Sequence, residues 1–250
     1  MNEVDLDIGP GEWAALVGAN GSGKSTLAKI CNALLTPTRG VCFVMGADAA
    51  APGSPEEIRK NVALVFQNPD DQIVASIVEE DVAFGPENLR LSRDEIRARV
   101  DRALELTGLS RYRLRGSFSL SGGQKQRLAL AGALALDPAV LLLDESTSML
   151  DPEGRESFLR RLGDLNACGM TLLQVTHRMD EVVHARRVVV MERGRVVWDG
   201  ASSDFFGGEY LRWNFAEPQE LILYRELLAR GFIRQGTVPT VLGMLGSLCL

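Results

Sequence analysis

Residues 18 to 26 read GANGSGKST, and Gly18, Gly23, Lys24 and Ser25 fill the fixed positions of a phosphate-binding loop: a glycine, four variable residues, then Gly-Lys-Ser. The chemistry needs those residue types at that spacing. Glycines let the backbone curl close enough for its N–H groups to surround a phosphate, where a Cβ would obstruct the curl. Lys24 supplies a point charge for the β- and γ-phosphates, and the Ser25 hydroxyl can complete a magnesium shell. Ala19, Asn20, Gly21 and Ser22 form the rest of the cradle, with Thr26 just behind it. Two elements must hold these groups. AALVG at 14 to 18 has the pattern of a buried strand, and STLAKICNALL from 25 that of a helix whose N-terminus favours an anion.

A second set of residues could act on what the loop holds. AVLLLDE at 139 to 145 is an apolar strand ending in two acids. Asp144, at the carboxyl end of the strand, is positioned to hold magnesium directly or through water. Glu145, one residue on, would lie near the γ-phosphate, able to orient or deprotonate an attacking water. In SLSGGQKQRLALAGALAL at 119 to 136, Ser121 with Gly122 and Gly123 can form a second anion-binding helix start. Taken alone, the same residues also suit a plain N-cap with glycines for close packing.

The run SLSGGQKQR resembles the signature sequence of ABC-type ATPases. The resemblance implies an α/β fold, a P-loop NTPase core of mainly parallel sheet with flanking helices, plus an ABC-type α-helical subdomain. It also implies that Gln67, closing the strand pattern VALVFQ, contacts magnesium or the attacking water. His177, after the strand pattern LLQVT, would contact the γ-phosphate, and Asp151 in STSMLDP would lie at a dimer seam. ATP and Mg²⁺ are the implied cofactors. In such proteins the signature of one subunit, here Ser121 to Gln124, closes on the nucleotide of another, so two composite sites form in a dimer.

Three further strings, VFQNPDDQI at 65 to 73, VEEDVAFGPEN at 78 to 88 and DESTSMLDP at 144 to 152, resemble the ATPase subunits of energy-coupling-factor transporters, importers of vitamins or transition-metal ions such as cobalt and nickel. This likeness runs from about residue 3 to 235. It implies a second ATPase subunit, a transmembrane coupling protein, a membrane substrate-binding subunit, and a location on the cytoplasmic face of the cell membrane. Asp70 and Asp71 would then suit basic side chains of the coupling partner. Family members usually begin with a strand and an adenine-stacking aromatic roughly 25 residues before the P-loop lysine. Here that position falls at or before Met1. A late start codon, a truncation or a substitute ring would each account for it. Trp13, the nearest aromatic, adjoins the P-loop strand and is expected in the core.

The remaining pattern gives the organisation: a core over 1–69 and 136–200, a helical subdomain over 70–135 and a C-terminal extension over 201–250. VDLDI near the start, VCFVMG at 41 to 46, VALVFQ at 62 to 67 and MTLLQVT at 170 to 176 read as strands. RVVVMERGRVVWDG reads as a hairpin turning at Glu192 to Gly194. Ser92 is the expected N-cap of a helix with its apolar stripe at Ile96, Val100, Ala103, Leu104 and Leu106. LILYRELLARGF reads as helical, with a glycine-rich end after it, and His184 is expected on a helix surface.

Composition excludes several classes. With 27 Lys and Arg against 33 Asp and Glu, the formal charge of −6 argues against sequence-independent binding of nucleic acid. No stretch reaches the roughly 20 apolar residues of a membrane span, and the acidic start MNEVDLD does not read as a signal peptide. Cys31, Cys42, Cys168 and Cys249 form no CxxC pair and read as small buried residues of a reducing cytoplasm. About one hundred residues separate Lys24 from Ser121, too few for the coiled coils of DNA-repair relatives. An intact Glu145 and His177 disfavour a scaffold that binds nucleotide without hydrolysis.

Overall fold

Apolar runs of four to six residues, too short for core helices and bounded by turns, become neighbouring strands of one sheet. The computed structural model describes residues 1–234 together with Met244. Strand β1 (Trp13–Val17) leads through the glycine loop into helix α1 (Lys24–Cys31). A two-stranded antiparallel piece, β2 (Phe43–Val44) and β3 (Ala47–Asp48), then helix α2 (Ser54–Asn61), lead to β4 (Val62–Val65). Three helices follow: α3 (Val78–Asn88), α4 (Arg93–Thr107) and α5 (Gly122–Ala135). The chain re-enters the sheet as β5 (Val140–Asp144), then runs through α6 (Pro152–Ala167), β6 (Thr171–Val175) and the short α7 (Met179–Val182). The hairpin of β7 (Arg187–Glu192) and β8 (Arg195–Ala201) precedes α8 (Ser202–Phe206) and α9 (Gln219–Ala229).

The six-stranded sheet has the order β4-β5-β6-β1-β7-β8. All its strands are parallel except β8, which returns antiparallel to β7 through Arg193 and Gly194, both at positive φ (49° and 81°). Helices cover both faces, so the central strands are buried on both sides and mostly apolar instead of alternating. Ala15 and Val17 of β1 and Leu141 and Leu143 of β5 pack on one face with α6 residues Phe158, Leu159 and Leu162. Ala14, Leu16 and Leu142 pack on the other with Leu27 and Ala28 of α1. Helices α3, α4 and α5 build a separate core around Val82, Leu104 and Leu128. Ser92 caps α4, accepting from the Glu95 N–H at 3.3 Å. Ile96, Val100, Ala103 and Leu104 of the expected stripe face this core, while Leu106 does not join it.

Three expected strands differ. VDLDI forms none: both edges of β1 are taken by β6 and β7, and the segment pairs with neither outer strand, β4 or β8. Its alternation survives as packing, with Val4, Leu6 and Ile8 turned onto the α1-side core. VCFVMG shortens to Phe43–Val44, leaving Val41, Phe43 and Met45 exposed, and VALVFQ stops at Val65. The expected glycine-rich end and Cys249 lie outside the described residues. Among the described residues no helix is long and apolar enough to cross a membrane.

The cysteines depart from the expectation in one case. Cys31 and Cys42 flank the α1-side core, half-buried, whereas Cys168 is exposed where the chain leaves α6. The Cys31 thiol donates to the Cys42 sulfur, pushing Cys42 down to about 7 and Cys31 well up. The thiolate of Cys42 therefore prevails above that pH. Alkylation of Cys42 by iodoacetamide in the native protein, followed by mass spectrometry across pH, should titrate with a midpoint of about 7. In Cys31→Ala the midpoint should rise toward about 8.5, the value of an unassisted thiol.

Candidate nucleotide-binding site

Parallel strands share one carboxyl edge, and the loops leaving β1, β4, β5 and β6 all open there. From β1 the chain reverses at Gly18 (φ 147°), where a Cβ would come within 2.1 Å of the Met191 carbonyl oxygen. Gly23 (φ 106°) is the N-cap of α1 and offers no side-chain cap, so the first N–H groups of that helix remain free for an anion. The hairpin braces the loop from behind, the Gly194 N–H donating to the Ser22 carbonyl at 2.9 Å. Lys24 is buried, its Nζ donating to the carbonyls of Gly18 at 2.8 Å and Ala19 at 3.0 Å. Burial lowers its pKa, against the opposing pull of the Glu145 and Asp144 carboxylates.

Across the loop, Ser25 Oγ donates to Asp144 Oδ1 at 2.8 Å. Burial raises the pKa of Asp144; the Ser25 hydrogen bond lowers it, and the Glu145 charge adds to the rise. Glu145 takes a left-handed conformation (φ 46°), and its N–H donates to the Val175 carbonyl at 2.9 Å. That turn aims its side chain between two partners. Gln67 Nε2 donates to Glu145 Oε2 at 2.9 Å, and His177 Nδ1 lies 3.3 Å from Glu145 Oε1. A cleft of about 300 Å³ is lined by Asn20, Gly21, Gly23, Lys24, Ser25 and Thr26 with Gln67 and Glu145. Its donor set fits a hard cation: Ser25 and Asp144 offer oxygen only. Among the described residues no group of three or more His, Cys, Asp or Glu is arranged to hold a metal ion by itself, so a magnesium here would draw its other ligands from phosphate and water.

The signature residues lie elsewhere. Ser121 caps α5 in a capping box: its Oγ accepts from the Gln124 N–H at 3.4 Å, while Gln124 Oε1 accepts from the Ser121 N–H at 3.0 Å. Tyr112, which the sequence did not single out, receives a hydrogen bond from Gln124 Nε2 at 3.0 Å. Ser121 to Gln124 line a larger cleft, about 670 Å³, with Met149, Asp151 and Arg111, and none of the P-loop residues borders it. Asp151 itself caps α6, accepting from the Gly154 N–H at 2.8 Å. Within one chain, then, the structure joins Gly18 to Thr26 with Gln67, Asp144, Glu145 and His177, and leaves Ser121 to Gln124 and Asp151 on a second surface.

Strand, glycine loop, buried lysine and acid pair on a mostly parallel sheet define a P-loop nucleotide-binding ATPase. Comparison with known proteins narrows this. The ABC transporter family profile matches residues 1–148. The energy-coupling factor transporter ATP-binding protein EcfA1 of Clostridium novyi is 45% identical over 252 residues, spanning 100% of this chain and 90% of that protein. The solved cbiO1 of Clostridium perfringens, described as part of the ABC transporter complex cbiONQ, superposes with a TM-score of 0.76 at 35% identity. It covers 89% of this chain and 90% of its own. A dimeric ATP-binding cassette in a post-hydrolysis state, bound to ADP and Pi, superposes with a TM-score of 0.73 at 30% identity over 80% of this chain and 89% of its own. The chain belongs to the ABC transporter ATPase family, among relatives named as energy-coupling-factor ATPases.

Other expected residues found different surroundings. Asp70 pairs with Lys125 Nζ at 2.5 Å and Asp71 accepts from Asn68 Nδ2 at 3.2 Å, so both acids have partners within the chain. His184 is not on a helix surface: it lies half-buried past the end of α7 and stacks on Trp13, centroids 6.1 Å apart. Burial lowers its pKa. Trp13 is buried in β1 as expected, donating to Gln174 Oε1 at 3.1 Å. Gln174, Glu181 and Thr147 form a buried polar group behind the acids that no sequence pattern marked, because isolated polar residues in apolar runs carry no periodic signal. The Gly18→Ala variant should lose ATP binding, since its Cβ meets a backbone carbonyl that cannot move without shifting β7. Titration calorimetry with ATP should show no saturation, and thermal denaturation should show a lowered midpoint.

Proposed function

We propose that this chain is the ATP-hydrolysing subunit of an energy-coupling-factor importer, powering uptake of a vitamin or transition-metal ion through a membrane partner. The observation that carries the reading is the Glu145 carboxylate, held by Gln67 at 2.9 Å and facing His177 at 3.3 Å on the rim of the P-loop cleft. That position suits a general base for water attacking the γ-phosphate, with Gln67 orienting the water and His177 contacting the phosphate. Lys24, now on the Gly18 and Ala19 carbonyls, would meet the phosphates, and Ser25, Asp144 and Gln67 would hold the magnesium. The cation supplies charge neutralisation on the phosphate oxygens. Backbone N–H groups from Gly18 to Thr26 receive the remaining charge.

Two observations support a composite site. The signature residues and Asp151 share a cleft that the P-loop does not enter, and a related cassette is a dimer. In a pair of such subunits, Ser121 to Gln124 and Asp151 of one would cover the nucleotide of the other. The units are a core of 1–69 and 136–200, a helical subdomain of 70–135 and an extension of 201–250. The subunit would work on the cytoplasmic face of the cell membrane with a second ATPase, a transmembrane coupling protein and a substrate-binding membrane subunit, and without nucleic acid. The segment Asn68 to Gln72, between the core and the helical lobe, is the proposed contact with the coupling protein.

Removing the base should separate binding from turnover. Glu145→Gln should bind ATP with unchanged affinity yet lose about 10²–10⁴-fold in steady-state hydrolysis; turnover at the wild-type rate would overturn the assignment. Affinity purification from detergent-solubilised membranes should recover a multi-span membrane protein and a small membrane-embedded binder. Recovery of nucleic acid with no membrane protein would overturn the transport reading.

A further inference from the structure

Behind the catalytic edge lies one carboxylate that the proposed reaction does not use. Glu181, on α7, is 1% exposed and gathers ligands from several segments. Thr147 Oγ1 donates to its Oε1, and Gln174 Nε2 donates to its Oε2 at 2.9 Å. The Thr176 hydroxyl also hydrogen-bonds it, and itself accepts from the Arg178 N–H at 3.1 Å. Arg178 Nε at 3.4 Å and Arg155 Nε at 3.7 Å approach the same Oε1 as ion-pair partners. Asp180 completes the charged surroundings, pairing with Arg178 at 2.7 Å and Arg155 at 3.9 Å.

The places these ligands come from matter more than their number. Thr147 follows Glu145 by two residues on the loop leaving β5. Thr176 and Arg178 stand on either side of His177 on the loop leaving β6. The Glu145–His177 contact spans those two loops, and at 3.3 Å it is sensitive to small displacements of either. A buried carboxyl group with this many partners is costly to leave unsatisfied and has one low-energy arrangement, so it fixes whatever its partners belong to.

We infer that Glu181 is a positioning residue that locks the Glu145 loop to the His177 loop through Thr147 on one side and Thr176 and Arg178 on the other. The inference rests on the roles proposed above for Glu145 and His177. The direct partners Thr147, Thr176 and Arg178 do not line the P-loop cleft. Of the two groups they position only Glu145 borders it, so the effect falls on chemistry more than on nucleotide affinity.

The test uses the full chain in the assembly that shows basal ATPase activity, with kcat, KM for ATP and thermal midpoint measured for each variant. Thr147→Val and Glu181→Gln should each lower kcat by about tenfold or more while KM stays within about twofold, because misplacement of a catalytic group costs rate and spares binding. Thr147→Ser, which keeps the hydroxyl, should recover kcat. The double variant Thr147→Val/Glu181→Gln should be no slower than Glu181→Gln alone, as expected of residues acting through one contact. If Glu181→Gln fails to fold, Thr147→Val still decides, since it removes a single hydroxyl at nearly constant shape. A folded Thr147→Val with wild-type kcat, or one in which only KM changes, overturns the inference. Glu145→Gln run alongside separates the two claims: its loss of turnover with an unaffected Thr147→Val removes only this inference, whereas wild-type turnover in Glu145→Gln removes the reading beneath it.

Discussion

The parallel register of β1, β5 and β6 is the constraint on which the site depends. Val175 of β6 stands opposite Leu16 of β1 on one side and Asp144 of β5 on the other. Ends aligned to within a residue bring the phosphate loop, the acid pair and His177 onto one edge. Glu145 extends that ladder one step past its strand, donating its N–H to Val175 while its own backbone turns left-handed. A non-glycine residue in that region carries strain of about 1–3 kcal/mol. The strain is spent on aim: the turn points the carboxylate between Gln67 and His177, across the mouth of the loop.

Electrostatics at that edge are arranged for a ligand that brings its own charges. Lys24 rests on backbone carbonyls and Asp144 on a hydroxyl. Burial disfavours the charged form of both, lowering one pKa and raising the other. A polyphosphate with its cation would satisfy both groups at once. The contrast is Arg187, whose guanidinium is fully engaged by Asp199, Glu12 and the Asp7 carbonyl on the outer strands. It ties the hairpin to the N-terminal segment. Glu181 is a third arrangement, a buried carboxyl group satisfied from within, and its partners include residues on the loops leaving β5 and β6.

Much of this was legible residue by residue. The glycines at 18 and 23 announce backbone that no side chain could follow, and the structure gives the reason in the Met191 carbonyl and the left-handed turn into α1. Short apolar runs ending in a functional residue announced β1, β5 and β6. The less legible parts were those where a segment's neighbours decide its state. VDLDI has strand alternation, yet β1 is already paired on both edges. His184 looked like a helix-surface residue until the fold stacked it on Trp13.

By itself the sequence determined which residues are available for chemistry: a glycine-rich loop with a lysine, a serine behind it, two acids ending an apolar strand, and a second glycine-rich helix start. Those depend on residue type and local spacing, which the chain carries in order. Only the tertiary structure decided which groups meet. It brought Gln67, Glu145 and His177 together from three different strands and set Ser121 to Gln124 apart on another cleft. It also gathered Thr147, Gln174, Thr176, Arg178 and Arg155 around Glu181. Contacts between residues far apart in sequence are fixed by strand order and register, and neither is written in local pattern.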